Sequence, residues 1–455
     1  MSNTVAKKGG NMSTTVANMP TDNVLMISSD GHATARMPDY LPYVSPHLRE
    51  EFRAFCEVYK DKGLRLAEEA SMVKTFDAEY VDLWRKNVLS KNRLEGTWDV
   101  HARFKEMALA GLAAEVIFPD FGIPFELYTP STAVVMGYRV TQEHKAGAYF
   151  AFNRWLADWI TVAPHRFAGQ ALIDFSDVDA AMAEIRWAKE NGLKGVLLPR
   201  FSAESPVFHP KFEPIWSLCE ELEMPINAHS AVSGTFDHAM LPSSDSEAYP
   251  APPPLPHPLV FAPIYSKAAF YNVHQFLVHF IWGGVLEKHP TLQLVFTETG
   301  SAWAAGLIES MDYTWDGAFT PRDVREIVKR PPSEYFHRQV HLGSSVFSLA
   351  EMENRHKIGV ERMTIGMDFP HPEGTWGMGP GHVAYLNATL GVARVPADEA
   401  RLMLGENAVK LWGFDRDKLQ PVVDEHGKTL AEILTVPEVD HFPRGDVHKP
   451  YGDNR

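Results

Sequence analysis

Polar residues of the types that bind metal ions follow four apolar runs of the chain. The runs NVLMISS, MPINA, LQLVFT and RMTIGM are followed in order by Asp30 with His32, by His229, by Glu298 and by Asp368. Short runs of this composition, bounded by turn residues, are typical of buried parallel strands. Because the carboxyl ends of such strands meet on one face of an α/β barrel, the side chains that follow them should converge there. Carboxylates and imidazoles gathered at one place predict a metal site.

Eight strand-like runs alternate with helix-like segments, which is the count that a closed (β/α)8 barrel needs. The predicted strands are Val24–Ser29, Ala114–Phe118, Phe167–Ile173, Gly195–Leu198, Pro225–Ala228, Leu292–Thr297, Val340–Gly343 and Arg362–Gly366. One intervening segment, DVDAAMAEIRWAKENGL, has helical spacing of its apolar residues, with Asp177 as a candidate N-cap and Asn191-Gly192 as a stop. The sequence therefore predicts an α/β protein with a TIM barrel.

Several parts of the chain do not fit a minimal barrel. We assign residues 23–420 to the barrel, preceded by a flexible tail at 1–22 and followed by an extension at 421–455. Residues 33–105 are rich in charged and aromatic side chains, and they predict a helical cap over the carboxyl face. Residues 231–266 include AYPAPPPLPHPLVFAP, whose prolines exclude a helix or a central strand. A loop of this length predicts a lid or an arm that reaches another subunit.

The composition limits the partners and the compartment. The 455 residues are 45% hydrophobic and 22% charged, as in ordinary soluble globular proteins. The net charge of −15 argues against nucleic acid and anionic membrane partners, since both bind basic surfaces. No apolar run approaches the roughly 18 residues of a membrane span, and no secretory apolar segment follows the N-terminal lysines. With two widely separated cysteines, Cys56 and Cys219, we expect a cytoplasmic protein. We also expect a small-molecule substrate and a homodimer or higher homo-oligomer.

Several longer motifs, taken in order, resemble one known family. Besides Asp30-Gly31-His32 and IGMDFPH, they are PHRFAGQALIDFSDVDAAMAEIRWAKENGLKGVLLP, PIWSLCEELEMPINAHS, GGVLEKHPTLQLVFTETG and LGENAVKLWGF. Over residues 23–416 the chain resembles the amidohydrolase superfamily, in the branch that contains aminocarboxymuconate-semialdehyde decarboxylase and aromatic-acid decarboxylases. It is also similar to a subgroup that includes a non-haem di-iron monooxygenase. The resemblance implies a distorted (β/α)8 barrel with one or two divalent metal ions at the carboxyl ends of the strands.

The family pattern carries over to this chain with two departures. His229 matches the metal histidine of the fifth strand, and Asp368 matches the eighth-strand aspartate that binds metal and often accepts a proton. The first strand of the family commonly carries His-x-His, whereas here Asp30 precedes His32. A histidine usually follows the sixth strand, whereas this chain has Glu298. Both departures make the expected site richer in oxygen ligands.

The fourth strand ends without the lysine that bridges two metals, as a carbamate, in many relatives. Glu298 is therefore a candidate ligand of a second metal, with His371 completing that site. Glu298 is alternatively a general acid or an anchor for another ligand, and His371 alternatively packs against the loop after the eighth strand. Arg200 is a candidate clamp for a substrate carboxylate, or else a structural ion-pair partner. Phe121 and Trp376 are further candidate substrate contacts.

Three reactions fit these ligands, and we expect Asp368 and Glu298 to be catalytic. We favour hydrolysis of an amide, ester or lactone, in which metal-bound water with a pKa near about 7 attacks and Asp368 transfers the proton. Oxygen-dependent hydroxylation by a di-iron centre is the alternative that Asp30 and Glu298 favour. Decarboxylation of an unsaturated or aromatic acid is the third reaction. It ranks last because such relatives generally use one metal and the sixth-strand histidine, which this chain lacks. Iron, zinc and manganese all suit these ligands. The expected substrate is largely apolar, with one carbonyl or carboxylate.

Overall fold

The structure is a computed structural model that describes most of the chain. It covers residues 22–59, 78–120, 122–126, 140–230, 232–233, 261–318, 320–371, 374–376 and 381–437. The predicted N-terminal tail and the last part of the predicted C-terminal extension lie outside the described residues. The same holds for nearly all of the proline-rich segment predicted to form a lid, from 234 to 260, and for Phe121. These predictions stand untested.

Eight parallel strands form one sheet in sequential order, β1 to β8. They are β1 Ile27–Ala33, β2 Ala114–Pro119, β3 Phe167–Leu172, β4 Gly195–Leu197, β5 Ile226–His229, β6 Leu294–Thr297, β7 Val340–Ser344 and β8 Met363–Ile365. Every strand residue is buried. Helices must therefore cover the outer face while side chains fill the interior, as in a TIM barrel. This confirms the predicted (β/α)8 fold.

Helices follow the strands and form the outer layer. They are α1 Arg49–Tyr59, α2 Ala78–Asn87, α3 Val100–Ala110, α4 Gln142–Ile160, α5 Val178–Glu190, α6 Glu213–Glu221, α7 Phe261–Trp282, α8 Val285–Lys288, α9 Ala302–Asp316, α10 Val324–Ile327, α11 Pro332–Gln339, α12 Leu349–Ile358, α13 Gly381–Leu386, α14 Ala397–Arg401, α15 Asn407–Trp412, α16 Arg416–His426 and α17 Leu430–Ile433. Asp177 caps α5 by accepting a hydrogen bond from the amide of Ala180, and the helix ends before Asn191. Both ends of α5 thus match the prediction.

Strand β1 differs from the prediction in a way that matters for the site. The prediction ended it at Ser29, with the apolar run, whereas the strand spans Ile27–Ala33 and contains the polar motif. Its ladder with β2 continues to the pair Ala33 and Pro119, after an irregularity between Ser28 and Gly31. The reason is that these polar side chains lie inside the barrel near the carboxyl ends of the strands, where they meet other polar groups. They therefore do not end the strand. His229 is likewise the last residue of β5 rather than the residue after it.

Helices α1, α2 and α3 lie between β1 and β2, where the cap was predicted. Helix α2 contributes Trp84 to a small hydrophobic cluster that also contains Val346, after β7, and Tyr385 of α13. Trp84 is completely buried, and so is Phe125, whose ring contacts those of Phe52 and Phe55. These aromatic residues are part of the packing that joins this region to the barrel.

The C-terminal part of the described chain is helical and packs on the barrel. Helix α16 contains Pro421, so the boundary predicted between the barrel and the C-terminal extension, at residues 420 and 421, falls inside a helix.

The two cysteines have no disulfide partner, and Cys219 is buried. Among the helices of the described residues, none combines the length and the apolar character that crossing a membrane requires.

Candidate metal centre

The barrel closes between β1 and the residues that follow β8, and this closure brings the first polar side chains together. The amide of Asp368 donates to the carbonyl of Asp30 (2.8 Å), and the amide of His32 donates to the carbonyl of Phe369 (2.7 Å). Asp368 has a φ of 53°, in the left-handed region that few non-glycine residues adopt. Asp30 and His32 are two residues apart on a strand, so their side chains point to the same side. That side is the barrel interior, where both are completely buried.

Four side chains then meet around one point in the interior. The Nε2 atom of His32 lies 3.3 Å from Oδ1 of Asp30 and 3.2 Å from Oδ1 of Asp368. From the end of β5, the Nε2 atom of His229 lies 3.3 Å from the same Oδ1 of Asp30. Two groups of potential ligand atoms result, one of Asp30, His32 and His229 and one of His32, Asp368 and His371, all buried.

Main-chain contacts orient both imidazoles toward this point. The Nδ1 atom of His32 is 2.8 Å from the carbonyl oxygen of Pro119, and that of His229 is 2.9 Å from the carbonyl oxygen of Ser230. A carbonyl only accepts hydrogen bonds, so each Nδ1 carries a proton and each Nε2 is the atom that faces the carboxylates. This is the usual way in which proteins fix the tautomer of metal-binding histidines.

The donor set fits a divalent cation. Within the described part of the chain, Oδ2 of Asp368 has no hydrogen-bond partner although it is buried, and Oδ1 faces Nε2 of His32 and Nδ1 of His371. Lone pairs of nitrogen and oxygen that face each other at this range repel unless a positive charge lies between them. Burial and the nearby His371 oppose protonation of His32, yet Asp30 and Asp368 raise its pKa to about 10. Burial likewise opposes ionisation of Asp30, but His229 and His32 hold the pKa of this carboxyl well below its usual range.

The two ligand groups share His32, which can serve only one ion at a time. An imidazole nitrogen has one lone pair, and the other nitrogen of His32 is used by Pro119. Asp368 belongs to the second group and also faces His32, so it is the residue that links the two groups.

His371 lies beside this point and links it to an aspartate that the sequence reasoning missed. Its Nδ1 atom is 2.9 Å from Oδ1 of Asp368, and its Nε2 atom is 3.3 Å from Oδ1 of Asp120. Burial opposes the charge, but Asp368 and Asp120 raise the pKa of His371 well above its ordinary value. Asp120 directly follows the apolar run of β2 and is completely buried. The same signal that identified the other strand-end residues was thus present there.

Glu298 lies on the far side of His229 from Asp30. Its Oε2 atom is 3.4 Å from Nδ1 of His229 and accepts a hydrogen bond from the hydroxyl of Ser230. Glu298 also has a left-handed φ of 56°, and its side chain is 14% exposed. It does not belong to either ligand group found among the described residues. This position suits a carboxylate that orients His229 from behind.

Ser345 completes the surroundings of Asp30. The hydroxyl of Ser345, just after β7, donates to Oδ2 of Asp30 at 2.9 Å. This bond leaves Oδ1 to face the two histidines. No motif in the sequence distinguishes Ser345 from other serines, so it could not have been found without the fold.

The predicted substrate contacts are less well placed by the structure. Arg200 is half-buried three residues after β4. Trp376 is 2% exposed, donates its indole N–H to the carbonyl of Met367 (2.6 Å) and packs edge-on against Phe369. Trp376 therefore fixes the loop that bears Asp368, and its contact with substrate stays a prediction. Phe121 lies outside the described residues.

Comparison with known proteins adds one curated relative and several structural neighbours. The chain is 27% identical over 166 residues to gamma-resorcylate decarboxylase of Rhodococcus jostii (strain RHA1), a match that covers 34% of this chain and 46% of the relative. The chain thus aligns with about half the length of the curated relative it matches.

Two of the similar solved structures are 5-carboxyvanillate decarboxylase from Novosphingobium aromaticivorans DSM 12444 and a dihydroxybenzoic acid decarboxylase from Polaromonas sp. JS666, both with bound manganese. The first is 17% identical, with a TM-score of 0.58, over 87% of this chain and 99% of that chain. The second is 16% identical, with a TM-score of 0.51, over 87% and 99%. At these identities the likeness shows the fold alone.

The amidohydrolase family profile matches residues 98–414, which is well over half of the chain. The match includes the segments that bear His229 and Asp368, and it confirms the resemblance to this superfamily. The narrower subgroup with a di-iron monooxygenase is not confirmed. The protein belongs to the amidohydrolase family.

Proposed function

We propose that the protein is a metal-dependent, non-oxidative decarboxylase of an aromatic or unsaturated carboxylic acid. The observation that carries the proposal is that two buried groups of candidate ligands share His32, one with Asp30 and His229 and the other with Asp368 and His371. The decarboxylase names of the curated relative and of both solved structures support the choice of reaction. Hydrolysis, which the sequence alone favoured, has no comparable support from these relatives.

Asp30, His32, His229 and Asp368 would hold the ion. When bound, a divalent ion in this position neutralises the carboxylates and draws electron density from an oxygen of the substrate. The two carboxylates make the site richer in hard oxygen ligands than a typical zinc site, which suits manganese. Manganese is also the metal named in both solved decarboxylase structures. Iron and zinc remain alternatives for reconstitution.

The reaction needs a proton at the carbon that loses its carboxylate. A C–H bond forms at that carbon, the C–C bond to the carboxylate breaks, and the carboxylate group leaves as carbon dioxide. The pair of Asp368 Oδ1 and His371 Nδ1, 2.9 Å apart, holds a proton beside the site, because two carboxylates favour the charged imidazole of His371. We assign delivery of this proton to Asp368, with His371 as its source.

The buried surroundings favour decarboxylation further. The ring of Phe118 packs against His229 with centroids 4.6 Å apart, so one wall of the site is aromatic and apolar. An apolar wall disfavours the charged carboxylate of the substrate more than the neutral carbon dioxide that leaves. Arg200, after β4, is our candidate for the residue that binds the substrate carboxylate before the reaction.

The experiment that tests the function measures carbon dioxide release under argon. The protein is stripped with a chelator, reconstituted with Mn²⁺ and incubated with a panel of hydroxybenzoates that includes dihydroxybenzoates and 5-carboxyvanillate. We expect carbon dioxide and the decarboxylated arene in equal amounts, only with metal and equally well without oxygen. An Asp368→Asn variant serves as the control. A metal-loaded protein that releases carbon dioxide from no member of the panel, or releases it only when oxygen is present, would overturn the proposal.

A two-metal oxygenase is the second candidate, because one specific contact favours it. Asp120 and His371 extend the row of donors beyond Asp368, so a second ion bound there would adjoin the first. Non-haem di-iron sites use such mixtures of carboxylate and imidazole. The two candidates separate in one assay, since an oxygenase supplied with Fe²⁺ and reductant consumes oxygen and fails under argon.

A further inference from the structure

A buried ion pair lies directly behind the strand that carries Asp30 and His32. Arg103 of α3 and Glu115 of β2 are both completely buried. The guanidinium donates from Nε to Oε2 (2.6 Å) and from Nη2 to Oε1 (3.1 Å) of the carboxylate. This is the two-pronged geometry in which arginine binds a carboxylate most strongly.

The third arm of the guanidinium reaches the main chain of the metal site. Nη1 of Arg103 donates to the carbonyl oxygen of His32 at 3.0 Å. The guanidinium also lies over the ring of Phe369, 4.1 Å from its centroid. Phe369 follows Asp368, and its carbonyl accepts the hydrogen bond from the amide of His32. One side chain therefore contacts the backbone of β1 and the residue next to the β8 ligand.

Gly31 explains why the pair can sit so close to the strand. A Cβ atom at Gly31 would lie 2.7 Å from Nη2 of Arg103 and 3.2 Å from Oε1 of Glu115. The central glycine of the Asp30-Gly31-His32 motif thus leaves room for the ion pair behind the ligands. The metal ligands point into the barrel, and the ion pair occupies the space on the opposite side of the same strand.

A stability role alone does not account for a charged pair at this place. Burying two charges carries a desolvation cost, and apolar side chains of similar volume often stabilise a fold as well or better. What apolar side chains cannot do is donate a hydrogen bond to the carbonyl of His32. Contacts that orient metal ligands in this indirect way typically change metal affinity by about 10- to 100-fold.

We propose that Arg103 and Glu115 act as a positioning pair that sets the β1 and β8 ligands at the spacing a divalent metal requires. Glu115 fixes the guanidinium, and the guanidinium fixes the carbonyl of His32 and the ring of Phe369. This inference rests on the metal site within the proposed function, and it holds for any of the candidate reactions.

The test is a Co²⁺ titration of the full chain, followed by visible absorption, because the d–d bands report both affinity and ligand geometry. The variant is Arg103→Met with Glu115→Met, which removes both charges at once and leaves no buried ion unpaired. Circular dichroism and thermal unfolding establish that it is folded. We expect an affinity about 10- to 100-fold weaker than wild type, with altered d–d bands. A folded double variant with unchanged affinity and bands overturns the proposal.

Two further proteins keep each outcome informative. The control is Arg154→Met with Glu184→Met, an ion pair between α4 and α5 in the outer layer, which should leave Co²⁺ binding unchanged. If the double variant of the positioning pair does not fold, Arg103→Lys replaces it, since lysine keeps the charge but lacks the fork that binds Glu115 and His32 together. Weaker binding by folded Arg103→Lys supports the proposal, and unchanged binding overturns it. If wild type itself binds no Co²⁺, it is the metal site, rather than the pair, that fails.

Discussion

The chemistry of the site depends on which nitrogen of each histidine faces the interior. The carbonyl groups of Pro119 and Ser230 accept hydrogen bonds from Nδ1 of His32 and of His229, so both Nε2 atoms are left for a cation. These carbonyls belong to the ends of β2 and β5, which means that the strand ends supply both the ligands and their orientation. The sequence indicated these residues as candidate ligands, but it could not tell which atom of each side chain points inward.

Glu298 provides the sharpest prediction for a single residue. Because it lies behind His229, Glu298→Gln should leave metal content at about one ion per chain while weakening affinity by about tenfold. Metal content after dialysis at saturating and limiting Mn²⁺, measured by atomic spectrometry, checks both numbers. A fall from two ions to one would show instead that Glu298 is a ligand of a second metal. Glu190→Gln, at the exposed end of α5, controls for the loss of one negative charge.

Strand β1 shows which part of an element the apolar pattern predicts and which part it does not. The eight strands and the helix after Asp177 were predictable because their apolar periodicity follows the barrel architecture. The extension of β1 through Asp30 and His32 was not, since polar residues usually end a buried strand. Ser345 was missed for a related reason, because its role arises only from a contact between different strands. Asp120 did carry the strand-end signal, since it directly follows the apolar run of β2.

Gly31→Ala tests the close packing behind β1. The added methyl group would meet Arg103 at 2.7 Å, and we expect a loss of about 1–3 kcal/mol in the free energy of unfolding, as for other overpacked sites, together with weaker metal binding. Urea unfolding and Mn²⁺ titration measure the two effects.

Gly306→Ala is the matched control for that substitution. Gly306 lies within α9, and apart from the helix's own neighbouring backbone no atom lies within 4 Å of a Cβ at this position. This variant should gain roughly 0.5–1 kcal/mol through helix propensity. Equal effects of the two substitutions would contradict the packing argument.

At the scale of the whole molecule, stability should depend on pH through histidines that the fold buries uncharged. Burial, followed by the charges of Arg362 and Lys410, lowers the pKa of His341 to about 3. The unfolded chain, with an ordinary histidine pKa near 6.5, therefore binds more protons between these values. The contribution of uncharged His341 to the free energy of unfolding is fully present above pH 6.5 and decreases as the pH falls toward 3. The predicted homo-oligomer belongs to this scale as well, and it stays a prediction.

His341→Gln should reduce this pH dependence. Between pH 7 and pH 5 the wild-type protein should lose up to about 2 kcal/mol more in its free energy of unfolding than the variant does. Urea titrations of both proteins at the two pH values, in the same metal-free buffer, measure the difference. Identical losses in the two proteins would mean that His341 does not titrate with unfolding.

We propose that Asp30, His32, His229 and Asp368 hold one divalent ion in the barrel, and the metal content per chain is the decisive measurement. Wild type and Asp368→Ala are equilibrated with Mn²⁺, passed through a desalting column and analysed for metal per chain, with circular dichroism to verify the fold. We predict about one ion per wild-type chain and almost none in Asp368→Ala, because the variant lacks one of the ligands. The variant should still fold, because the ligands lie above the packed core. A wild-type chain without metal, or a folded variant that retains the full amount, would contradict the account.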